Sequence, residues 1–138
     1  MEKKRILIID DEAAFTRMVK LNLEGTGAFE VREENRATYA MATAREFKPD
    51  LIFLDVIMPA KDGGDIAADL QKDRALKGTP IIFLTATISQ REAGAGGLTS
   101  GGSLFLAKPV SVERLVQCIN ERVPKPAAPA PEKAAKRP

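Results

Sequence analysis

Five short apolar runs, each followed by a stretch of helical spacing, restrict what this chain can fold into more than any other feature of its sequence. The runs are RILII (5–9), FEV (29–31), LIFL (51–54), PIIFL (80–84) and SLFLA (103–107). All but FEV are continuous rather than alternating, the pattern of a strand covered on both faces. Apolar residues recur at helical intervals over 13–24, 37–47, 64–73 and 111–123, with a doubtful segment at 89–99. In the clearest of these, Val112, Leu115, Val116, Ile119 and Val123 form one stripe. Strand then helix, repeated, implies an α/β fold: a doubly wound parallel sheet with right-handed crossovers and helices on both faces. The prolines agree, since Pro49 and Pro80 precede runs and Pro59 and Pro109 follow them, where no ladder hydrogen bond is lost.

The chain has 138 residues, the size of one ordinary domain, and residues 124–138 read as an appendage to it. That segment, PKPAAPAPEKAAKRP, has nothing to bury and is expected to be a disordered Pro/Ala/Lys-rich tail or linker. It carries a net +3, so residues 1–123 carry −1 although the whole chain is +2. Basicity belongs to the tail, and direct nucleic-acid binding by the body is not expected. No apolar stretch is long enough for a membrane span or a secretory signal, which points to the cytoplasm. The single cysteine, Cys118, lies in an apolar helical pattern and reads as a buried thiol. Histidine is absent, so no imidazole ligand, catalytic triad or phosphohistidine can come from this chain.

In an open parallel sheet the strand C-termini share one edge, where ligands bind. Residues following the apolar runs are therefore neighbours: Asp10 and Asp11, then Asp55, Thr85 and Lys108. Three carboxylates at one edge repel one another, and one lysine does not balance them. An all-oxygen cluster without His or Cys suits a hard divalent cation, Mg²⁺ or Mn²⁺. Carboxylates, a hydroxyl and an ammonium around such an ion can bind and transfer a phosphoryl group, with one carboxylate as nucleophile. The central position of Asp55 selects it. Asp11 and Glu12 have a simpler reading as caps of the helix that follows, and for Glu12 that reading suffices.

The segments IIDDE, LIFLDVIMPAKDGG, IIFLTAT and LFLAKP resemble the receiver domain of two-component response regulators, over about residues 4–123. The motifs come in the family's order, with steps of 44, 30 and 23 residues from Asp11 through Asp55 and Thr85 to Lys108. The resemblance implies a single-domain receiver spanning 1–123, with five parallel strands in the order 2-1-3-4-5. It implies that Asp55 takes a phosphoryl group from a histidine kinase or histidine phosphotransfer protein. Asp11, Asp55 and the backbone carbonyl of Ile57 would ligate Mg²⁺, with Asp10 acting through water. Thr85 would hydrogen-bond a phosphoryl oxygen, Lys108 would pair with the phosphate, and Lys108–Pro109 would be cis. Thr85 and Phe105 would form the switch that changes contacts with a downstream protein. Such a chain catalyses only its own phosphorylation and dephosphorylation.

Two departures stand out. Five glycines between Gly94 and Gly102, at roughly 1 kcal/mol each in a helix interior, predict a fourth helix that is short or irregular. Gly64 stands where the family has an apolar residue. The competing reading is a phosphate-independent adaptor of the same fold, which would have no need of Asp10, Asp11 and Lys108 together. An aspartyl phosphatase lacks its second acid, because Val56 and Ile57 follow Asp55, and a flavin phosphate would be repelled by DDE.

Overall fold

The computed structural model describes residues 3–86, 98–100 and 103–123. Its elements run β1 (Lys4–Ile9), α1 (Ala13–Glu24), β2 (Phe29–Glu34), a 3₁₀ turn (Ala37–Tyr39), α2 (Ala40–Phe47), β3 (Leu51–Asp55), α3 (Gly63–Lys72), β4 (Ile81–Thr85), β5 (Leu98–Ser100), β6 (Ser103–Ala107) and α4 (Val112–Arg122). The sheet order is β2-β1-β3-β4-β6-β5. Five strands are parallel, and they are the five apolar runs in the expected order, with β6 as the fifth. The added β5 pairs antiparallel to β6, Leu98 opposite Phe105 and Ser100 opposite Ser103, and closes that edge. Most of the doubtful helix at 89–99 and all of the tail at 124–138 lie outside the described residues, but Leu98 and Thr99 belong to a strand.

Continuous apolar runs cover both faces of this sheet. Ile6 and Ile8 of β1 point into a core shared with Val19, Leu23, Leu115, Cys118 and Ile119, beneath α1 and α4. Leu7 and Ile9 point the other way, onto Ala40, Ala44, Ile66 and Leu70 of α2 and α3. All four β1 residues are inaccessible to solvent. At roughly 2 kcal/mol for each buried aliphatic side chain, neither face could be left bare. The weak run FEV becomes a full six-residue strand because β2 is an edge: Glu30 is exposed between buried Phe29 and Val31.

Local chemistry places the helix ends. The Asp62 carboxylate accepts the Asp65 N–H at 2.9 Å to start α3, and Ser111 Oγ accepts the Arg114 N–H at 3.1 Å to start α4. Helix α2 ends at Lys48, whose φ of 55° is left-handed, and the Arg5 guanidinium donates to the carbonyls of Phe47 and Lys48 there. Gly64 is exposed, so no apolar contact is missing where the family has an apolar side chain. Gly63 is different. A Cβ on it would lie 2.3 Å from the Asp55 carbonyl oxygen, and its N–H donates to Val56 at 2.7 Å. Only glycine lets α3 begin against the end of β3, which fixes the loop carrying Asp55, Val56 and Ile57.

Candidate functional site

Four parallel strands end together at one edge of the sheet. Asp10 follows β1, and Asp55 and Thr85 close β3 and β4. Thr85 lies opposite Ala107, so Lys108 begins one residue past that register, and its N–H donates to the Thr85 carbonyl at 2.9 Å. Crossed-strand bonds hold the other two ends: Asp10 N–H to Glu34 at 3.0 Å and Val56 N–H to Leu84 at 3.3 Å. The Lys108–Pro109 peptide is cis.

The carboxylates converge as the strand ends do. One oxygen each from Asp10, Asp11 and Asp55 lies within 4.8 Å of the others. Asp10 is inaccessible to solvent, Asp55 is buried and Asp11 is exposed. Both Asp10 oxygens are engaged: Oδ1 accepts the Glu12 N–H at 2.9 Å and Oδ2 accepts Lys108 Nζ at 2.6 Å. Its carbonyl accepts the Asn35 side chain at 2.8 Å. Burial nevertheless raises the Asp10 carboxyl above its ordinary range, against the Lys108 and Glu12 bonds that lower it. Asp55 is less well compensated. Lys108 Nζ stands 3.6 Å from it, and burial, reinforced by Asp10, pushes its carboxyl up to about 6. Burial works to lower the Lys108 pKa, but its carboxylate partners, Asp10 foremost, raise it on balance.

The Asp55 carboxyl is pushed up to about 6 by burial first and by the Asp10 charge second, so a cation bound beside it would favour its charged form. The donor set consists of carboxylate oxygens, two groups buried and one at the surface, which fits a hard divalent ion that keeps some of its water. These residues therefore fit Mg²⁺ or Mn²⁺, as expected. Ile57, whose carbonyl was assigned a ligand role, lies two residues past Asp55 on the loop that Gly63 holds, with its side chain exposed.

Glu12 requires a correction. It occupies the N-cap of α1, but its side chain makes no capping bond. Its carboxylate instead accepts Lys108 Nζ at 3.2 Å. Glu12 therefore belongs to the site. The ring of Phe15, in the first turn of the same helix, lies with its centroid 4.7 Å from that ammonium. Both residues follow β1 at the same edge as Asp10 and Asp11, and that shared position was the available signal. Phe105 is half-buried and stacks on Phe83, with ring centroids 4.7 Å apart and planes 14° from parallel.

The sequence profile described as Response regulator receiver domain matches residues 6–120. The chain belongs to the response regulator receiver domain family. Among curated relatives, the receiver is 36% identical over 112 residues to the DNA-binding dual master transcriptional regulator RpaA of Synechocystis, covering 81% of this chain and 46% of that protein. It is 37% identical over 116 residues to the phosphate regulon transcriptional regulatory protein PhoB of Pseudomonas aeruginosa, covering 84% of this chain and 50% of that one. The receiver thus spans about half the length of the curated relatives it matches. Solved structures of similar proteins include the chemotaxis protein CheY4 of Vibrio cholerae, at 27% identity and a TM-score of 0.73, covering 88% of this chain and 99% of that one. A response regulator from Chloroflexus aurantiacus matches with 28% identity and a TM-score of 0.75, covering 90% and 100%. Among the described residues, no helix of this receiver is long and apolar enough to cross a membrane.

Proposed function

We propose that this receiver accepts a phosphoryl group on Asp55 from a phosphohistidine carried by a histidine kinase or phosphotransfer protein. A carboxylate oxygen of Asp55 forms a bond to phosphorus as the phosphorus–nitrogen bond breaks, and that electron pair returns to the imidazole of the partner. The observation that carries this reading is the meeting of Asp10, Asp11 and Asp55 within 4.8 Å, with the Lys108 ammonium 3.6 Å from Asp55. The absence of histidine from the chain agrees with a donor imidazole in another protein.

Asp11, Asp55 and the Ile57 carbonyl would hold Mg²⁺ or Mn²⁺, with Asp10 acting through water. When bound, the ion supplies positive charge against the equatorial phosphoryl oxygens. The other roles fall to the chain. Lys108 pairs with the phosphoryl group, and Thr85, buried at the end of β4, hydrogen-bonds one of its oxygens. Phe105 follows Thr85 inward, and its stacking on Phe83 is the contact that must rearrange to change the surface offered to a downstream protein.

The test is to incubate the chain with Mg²⁺ and acetyl phosphate and weigh it. A gain of one phosphoryl group is expected, absent in Asp55→Ala. A gain that persists in that variant would overturn the assignment.

A further inference from the structure

Among the described residues Lys108 is the one cation placed among the site carboxylates, and it does not face them equally. Its Nζ is 2.6 Å from Asp10, 3.2 Å from Glu12 and 3.6 Å from Asp55. The two nearer carboxylates both come from the turn between β1 and α1. The Phe15 ring, from the first turn of α1, adds a third contact on that side. The ammonium is thus drawn away from the residue on which a phosphoryl group would appear.

We propose that Glu12 and Phe15 form a latch that holds the Lys108 ammonium on the β1–α1 side of the site until a phosphoryl group on Asp55 draws it across. This rests on the phosphoacceptor reading above, in which Lys108 pairs with the phosphate. The strengths of the three holders differ in the way a latch needs. Asp10 is inaccessible to solvent and holds Lys108 at 2.6 Å, and in this proposal that pair persists when the ammonium crosses. Glu12 has a side chain 65% exposed, so its ion pair is weak, and water takes over its carboxylate when the lysine leaves. Phe15 holds the ammonium through its ring face without adding charge. The unused capping capacity of Glu12 agrees: its carboxylate turns to a lysine 96 residues away rather than to its own helix. Both are positioning residues, acting on phosphoryl transfer only through Lys108.

Beryllofluoride, a mimic of the phosphoryl group, tests this in the presence of Mg²⁺ with the full chain. Glu12 is exposed, so Glu12→Gln is expected to leave the fold unchanged, and Phe15→Leu is expected to keep the apolar contact of that position with the core beneath α1. Each variant is expected to bind beryllofluoride about threefold more tightly, the size that a weak exposed contact withholds. Together they should gain less than the product of the two, because both act on one ammonium. A second readout needs neither metal nor mimic. The Lys108 ε-methylene protons should be shifted upfield by the Phe15 ring in the NMR spectrum, less so in Glu12→Gln and not at all in Phe15→Leu. Unchanged or weaker beryllofluoride binding in both variants, or unshifted protons in the natural chain, would overturn the latch. A natural chain that takes up no beryllofluoride counts against the phosphoacceptor reading, and the proton shifts then decide the Lys108 contacts by themselves.

Discussion

Replacing Asp55 by asparagine removes a buried negative charge, with a consequence for stability that follows from its raised pKa. The Asp55 carboxyl is pushed from 3.8 up to about 6 by burial and by Asp10. A folded-state pKa above the unfolded one means that the unfolded chain gives up its proton first. Stability from this group is therefore highest below about pH 4, falls as the pH rises through the interval from about 4 to 6, and stays low above it. At ~1.4 kcal/mol per pKa unit, the cost of keeping the Asp55 charge in the fold at pH 7.5 is ~3 kcal/mol. Asp55→Asn should then be more stable than the natural chain by up to ~3 kcal/mol at pH 7.5 in EDTA, and no more stable at pH 4. Urea unfolding followed by circular dichroism at several pH values measures this, with the denaturant slope unchanged between the two chains. With no histidine to titrate, the interval between pH 5 and 7 is left to perturbed carboxyls. Its midpoint belongs to the Asp10–Asp55 pair, because the two charges are coupled. An Asp55→Asn chain no more stable at pH 7.5, or an advantage that survives at pH 4, would refute the reasoning.

Three further outcomes are expected. Mg²⁺ should stabilise the natural chain in a saturable way at pH 7.5, by ~2.7 kcal/mol at a hundred times its dissociation constant, and much less in Asp11→Ala, as read by thermal melting with and without the ion. Gly63→Ala should destabilise by more than 1 kcal/mol, because its methyl group would meet the Asp55 carbonyl oxygen 2.3 Å away, whereas Gly64→Ala, open to solvent in the first turn of α3, should stabilise by ~0.5 kcal/mol. Urea midpoints of the two variants separate these effects. Lys48→Gly should raise the urea midpoint, with a gain of ~1 kcal/mol, since Lys48 holds a left-handed φ of 55° at the end of α2.

What the sequence made legible follows from how far each signal reaches. Continuous runs such as RILII and LIFL announce strands buried on both faces, and the 13–24 spacing falls on α1 with the same bounds. The parallel connection then brings Asp10, Asp55, Thr85 and Lys108 to one edge without knowledge of any contact. Strand β5 was not legible: three residues between glycines carry no periodicity, and they are a strand only because β6 offers them an edge. Glu12 was misread for a related reason. A helix start is a local signal, and Glu12 satisfies it by position, whereas its partner Lys108 lies on another strand end. The strand-edge rule that places Asp10 applies equally to Glu12, which follows the same strand by three residues.

The misreading of Glu12 bears on why the site is poised rather than merely acidic. Lys108 serves Asp10, Glu12 and Asp55 at 2.6, 3.2 and 3.6 Å, so its ammonium stands nearest Asp10 and farthest from Asp55. Asp55 is buried beside Asp10, and its carboxyl is raised by burial first and by the Asp10 charge second, with Lys108 offsetting only part. Added positive charge beside Asp55 then offsets the cost of keeping its buried carboxylate charged. By linkage, the free energy spent on keeping the buried Asp55 charged is available to favour a cation that binds beside it. The stability gain expected of Asp55→Asn and the affinity gain expected of Glu12→Gln therefore read two sides of one site: the first the cost of burying the Asp55 charge, the second the position of the Lys108 ammonium.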